Sequence, residues 1–81
     1  METLKTITIP IIPDASLDLA TKFKERLGWL DGPEEIQRIL GCGTHTKVVE
    51  HLRPEFVKSI TDHLEALGID YTVWDDSEAP E

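Results

Sequence analysis

The chain is short of cysteine, aromatics, bases and long apolar runs, and each shortage excludes something. One cysteine, Cys42, cannot close an internal disulfide and points to a reducing compartment. Two Trp, one Tyr and two Phe are too scattered for an aromatic platform interleaved with bases. Lys and Arg number 8 against 16 acids, a formal net charge of −8, so a phosphate backbone repels the chain and no nucleic-acid partner is expected. The most apolar stretch, Ile7–Ile12, is interrupted by Pro10, too short to span a bilayer, and without the basic start and cleavage site of a leader. A cytoplasmic protein with no membrane partner is therefore expected. Walker loop, G-x-G-x-x-G and nucleophile elbow are all missing, so neither an enzyme nor a cofactor is expected.

What is present is a globular composition, 40% apolar and 30% charged, at a length of 81 residues that suits one domain with a modest core. Residues 1–74 read as a single domain. Residues 75–81 carry acids, Ser and Pro with only Ala79 to bury, which predicts an acidic flexible tail.

Local signals give the order β-α-α-β-α-β. Leu4–Ile12 alternates, with Ile7, Ile9 and Ile11 on one face and Thr6 and Thr8 on the other; Pro10 has no N–H and belongs at an edge or strand end. Asp14 or Ser16 caps a helix whose inner face is Leu19, Ala20, Phe23 and Leu27, with Asp18 in its first turn and Gly28 at its end. Asp31-Gly32-Pro33-Glu34-Glu35 opens a shorter helix with a cap, a proline and acids. Ile36, Ile39 and Leu40 are its inner face, and Gly41-Cys42-Gly43 ends it. Thr44–Leu52 reads as a strand around Val48-Val49. Pro54 starts a third helix, with Phe56, Val57, Ile60, Leu64 and Leu67 as its stripe. Gly68 stops it in the left-handed position, so that Ile69 folds back on Leu64. Tyr71–Trp74 alternates as the last strand. The expected architecture is an α+β fold, a three-stranded sheet with three helices packed on one face. Thr6 and Thr8 suit a second face turned to water. There Trp74 either marks a dimer or partner contact, or packs against Pro10 or the tail.

Candidate chemistry is sparse. Cys42 and His45 are three residues apart in a glycine turn, a spacing that positions nothing by itself. Cys42, His45, His51 and His63 have ligand types that zinc accepts, but their spacings match no closed zinc pattern, and no metal is expected. Glu34-Glu35 serves the helix dipole, and Asp75-Asp76 falls in the expected tail.

Pro33-Glu34-Glu35-Ile36-Gln37-Arg38-Ile39-Leu40, the strand around Val48-Val49-Glu50 and the ending Leu64-Glu65-Ala66-Leu67-Gly68-Ile69 carry a resemblance. From Gly32 to Val73 the chain resembles the C-terminal domain of the bacterial ribosomal stalk protein and, more distantly, the ClpS-type protease adaptor. The resemblance implies the same β-α-α-β-α-β fold and protein binding through helix faces. In the stalk family a glycine-rich joint between the first two helices takes part in recruiting translation factors; here the joint is Leu27-Gly28-Trp29-Leu30-Asp31-Gly32.

The expected function is that of a small acidic protein-binding module, an adaptor or inhibitor, monomeric or weakly dimeric. It contacts a larger protein through Lys22, Lys24, Arg26, Trp29 and Leu30, with Trp29 either an interface anchor or a staple between two helices. The alternative is an acidic decoy that mimics nucleic acid, with Glu55, Asp62, Glu65, Asp75 and Asp76 on one face.

Overall fold

The computed structural model describes residues 3–79, and among these the elements run β1 (Lys5–Pro10), α1 (Leu17–Leu27), α2 (Pro33–Leu40), β2 (His45–Leu52), α3 (Val57–Ala66) and β3 (Thr72–Asp75). The chain is an α+β protein with a three-stranded antiparallel sheet in the order β2-β1-β3. By contact it divides into two compact units, residues 3–9 with 47–79, and residues 10–46.

The first unit holds the paired strands and α3. β1 is the middle strand, and its terminal residue is Pro10, where a missing donor costs no ladder bond. Lys5 lies opposite Asp75, Thr6 opposite Trp74, Ile7 opposite Val73 and Thr8 opposite Thr72. Ile7, Ile9, Leu64 and Ile69 are the buried apolar residues of this unit. A fully buried side chain of this kind contributes about 1.5–3 kcal/mol. A 3-10 turn, Pro54–Phe56, precedes α3. Its tighter period rotates Phe56 off the expected stripe and leaves it half exposed, while Thr61 is buried instead and its hydroxyl donates to the Lys58 carbonyl at 3.2 Å. α3 closes with paired bonds, Ile69 N–H to the Leu64 carbonyl at 3.0 Å and Gly68 N–H to that of Glu65 at 3.0 Å, with Gly68 at φ +72.

The second unit is a helical hairpin. Ser16 caps α1, its Oγ accepting the Leu19 N–H at 3.1 Å. Gly32 rather than Asp31 is the residue before α2, because Pro33 takes the first helical position. α1 and α2 pack against each other, burying Ala20 and Phe23 from one and Ile36 and Leu40 from the other. The segment entering α1 is tied to α2: Ile12 N–H donates to the Leu40 carbonyl at 2.6 Å, and Gln37 Nε2 to the Ala15 carbonyl at 2.7 Å.

Two expectations are corrected. Thr6 and Thr8 do not face water; both are buried, because Trp74 and Asp76 on the same sheet face close over them with hydrogen bonds. Nor does a flexible tail begin at Asp75. Asp75 is the last residue of β3 and pairs with Lys5, and Asp76 N–H continues the ladder to the Leu4 carbonyl at 3.1 Å. Glu78 and Ala79 then donate to the Asp75 carbonyl at 2.8 and 3.1 Å. The last two residues of the expected tail, Pro80 and Glu81, lie outside the described residues.

Candidate functional site

The α1–α2 joint is shaped by a glycine, a ring stack and one lysine. Gly28, at φ +68, turns the chain out of α1, and its N–H donates to the Lys24 carbonyl at 2.9 Å. Trp29 then folds back edge-on to Phe23, with centroids 4.9 Å apart and planes at 84°. Lys24 reaches over the joint, its Nζ donating to the carbonyls of Trp29 and Asp31, each at 2.9 Å. Leu30, between those two anchor points, is 97% exposed. A leucine so exposed on a segment fixed at both sides is the most exposed large apolar side chain among the described residues.

Of the five residues expected to form a contact, the structure therefore separates two roles. Trp29 and Lys24 are used inside the hairpin, one as a half-buried staple against α1 and the other as a clasp. Lys22 and Arg26, one turn apart on α1, and Leu30 point outward. Lys22 also meets Asp18 at 3.1 Å in an exposed pair. A shallow depression of about 350 Å³, lined by Leu17, Thr21, Gly32, Pro33 and Glu34, lies where α1 begins beside the start of α2.

The second organised cluster belongs to the sheet. Thr6 Oγ1 donates to Asp76 Oδ1 at 2.8 Å, His51 Nδ1 lies 2.6 Å from Asp76 Oδ2, and Trp74 Nε1 donates to Thr8 Oγ1 at 2.9 Å. Asp76 thus bridges β1 and β2 from the end of β3. The hydrogen bond with Asp76, then its charge, holds the His51 pKa above the usual histidine range; Glu50 adds to this, while desolvation and Lys47 oppose it. The same bond, with that from Thr6, holds the Asp76 carboxyl below the usual aspartate range. His51 makes this contact from a left-handed backbone at φ +58. No local motif announces the cluster, since its members are 25 to 70 residues apart. The register of β1 on β3 is the signal that finds it.

The remaining candidates form no organised group. Cys42 is exposed in the turn after α2, and His45 Nδ1 has Thr44 Oγ1 as its neighbour at 3.0 Å. Among the described residues no group of three His, Cys, Asp or Glu could hold a metal ion, and no helix is long and apolar enough to cross a membrane. Four of the five acids of the decoy alternative have basic side chains as partners within the chain: Glu55 with Arg53, Asp62 with Lys58, Asp75 with Lys5 and Asp76 with His51. Glu65 accepts the Tyr71 hydroxyl at 3.0 Å.

No family model matches the chain, and no curated protein or solved structure matches it at a significant level.

Proposed function

We propose that this chain is a small protein-binding module, an adaptor or inhibitor, that grips a larger protein with the outer side of the α1–α2 joint. The observation that carries this reading is Leu30, 97% exposed on a segment held by the Trp29–Phe23 stack and the two Lys24 bonds. An apolar anchor that is already positioned loses little freedom on binding, so more of the roughly 2 kcal/mol from burying a leucine is kept as affinity. Lys22 and Arg26, exposed on α1, suit a partner surface with an apolar pocket rimmed by acids. The resemblance to the stalk domain read from the sequence implies binding through helix faces, and this surface is in keeping with it. The acidic decoy is less well supported, because four of its five acids already have side-chain partners within the chain.

The test is a photo-crosslinking residue at Arg26, exposed within the proposed contact, used in the native lysate at low and high salt with Leu30 intact and again with Leu30→Asp added. One partner crosslinked at both salts, and lost in Leu30→Asp at an unchanged thermal midpoint, is the expected outcome. The same partner captured equally by Leu30→Asp removes the joint from the interface.

A further inference from the structure

Among the described residues β3 is an edge strand, with β1 on one side and no strand on the other. Asp76 N–H bonds to the Leu4 carbonyl, and this sets the alternation of the ladder. Thr72 and Trp74 turn their backbone groups toward β1, while the N–H and C=O of Val73 and the N–H of Asp75 point away from it. The Asp75 carbonyl is already taken by Glu78 and Ala79, which closes that end of the edge. Among the described residues Val73 stays open, and it is 37% exposed.

The other end of the edge runs into a depression of about 490 Å³ lined by Glu65, Gly68, Ile69, Asp70 and Tyr71. Both of its acids are exposed, and α3 terminates there, adding the negative end of its dipole. Tyr71 donates its hydroxyl to Glu65 at 3.0 Å, and this bond holds the phenol above its usual pKa, as a charged acceptor does. A free strand edge thus leads directly into a negatively charged recess.

Charge selects the occupant. A second copy of the chain would bring another −8 to an already acidic edge, and an acidic peptide would be repelled in the same way. We propose that the β3 edge and the recess beside Tyr71 form a docking groove for an extended basic segment of a partner protein, which adds as a fourth strand on Val73 and lays a Lys or Arg side chain between Glu65 and Asp70. Backbone bonds to Val73 supply the strand pairing, and the two carboxylates select the side chain. The groove lies in the unit formed by residues 3–9 and 47–79 and does not depend on the α1–α2 joint.

The experiment uses the full chain and a fluorescent peptide of alternating valine and lysine, with a valine–glutamate peptide as control, read by anisotropy and by backbone amide shifts. Val73→Pro removes the outward donor while sparing the bonds that Thr72 and Trp74 make to β1. The lysine peptide is expected to bind and to shift the amides of residues 71–75. Val73→Pro and the double variant Glu65→Gln/Asp70→Asn are each expected to weaken it by about tenfold or more. Should Val73→Pro lower the thermal midpoint, wild-type protein is titrated with lysine peptides N-methylated at one or the other alternate set of amides; one set is then expected to lose binding. The proposal is overturned by equal binding of the glutamate peptide, by no binding of the lysine peptide up to about 1 mM, by full affinity in Val73→Pro at an unchanged midpoint, or by full affinity for both N-methylated sets.

Discussion

His51 is the one non-glycine residue among those described with a left-handed backbone, at φ +58, and it lies inside a strand. That conformation is unfavourable for a side chain with a Cβ; the Asp76 carboxylate at 2.6 Å offsets it. Because the bond raises the His51 pKa, folding takes up protons near neutrality. The contribution is complete below the unfolded value of about 6.5 and is lost as pH rises through the higher folded one. Asp76 acts in the opposite sense: its contribution is present above the ordinary aspartate range and lost as pH falls through its lowered value. The thermal midpoint should therefore fall between about pH 6 and about pH 8. His51→Asn, which tolerates the backbone but cannot titrate, should flatten that slope. An identical slope in both proteins would place the proton elsewhere. Trp29 and Leu30 supply a second contrast. Trp29→Ala should cost roughly 2 kcal/mol in chemical denaturation, because it removes the stack on Phe23. Leu30→Ala should cost less than about 0.5 kcal/mol, since nothing covers that side chain. The reverse order would mean that the joint is not held as described. Both residues are conspicuous in the sequence as apolar side chains in a polar joint, but which one turns inward depends on the position of Phe23, two turns back on α1. The His51–Asp76 pair leaves no such trace, and two adjacent acids near a chain end read as tail until β3 is set beside β1.

At the level of the element, what the sequence states well is where helices stop and start, because those signals act within a few residues. Ser16, Gly28, Pro33 and Gly68 all stand at helix boundaries. Gly68 has the clearest consequence. Its φ of +72 puts any Cβ into a conformation that L-residues disfavour, although no neighbour lies within 4 Å to clash. Gly68→Ala should then destabilise by about 1 kcal/mol through backbone strain alone. Urea denaturation measures this, and a variant as stable as wild type would mean that the turn after α3 relaxes without cost. What stayed hidden is the change of helical period at residues 54–56. Apolar spacing alone makes Phe56 part of the stripe, and the proline-led 3-10 turn sets it outside α3, where it is half exposed.

Across the whole chain, the order β-α-α-β-α-β was legible because each apolar period is long enough to identify its own element. The division into two units was not. One unit joins residues 3–9 to 47–79, which residues 10–46 separate in sequence, and no local pattern encodes so distant a pairing. Charge is the property that acts at this scale. The exposed pairs Lys22–Asp18, Lys58–Asp62 and Arg53–Glu55 each contribute under about 1 kcal/mol and weaken with salt. Against them stands a net charge of −8 whose self-repulsion is largest at low ionic strength. About 0.5 M NaCl shortens the screening length to roughly 4 Å, similar to the distances within the ion pairs and short for charges that are not in contact. Repulsion over long distances is thus removed more fully than attraction at contact, and the thermal midpoint should rise by several degrees. Binding of the lysine peptide at Glu65 and Asp70 should weaken over the same range, since that attraction forms from separated charges that salt screens. Opposite signs for the two responses are the expected result. A midpoint that falls with salt would show that the ion pairs, and not the unmatched acids, dominate the electrostatics of the fold.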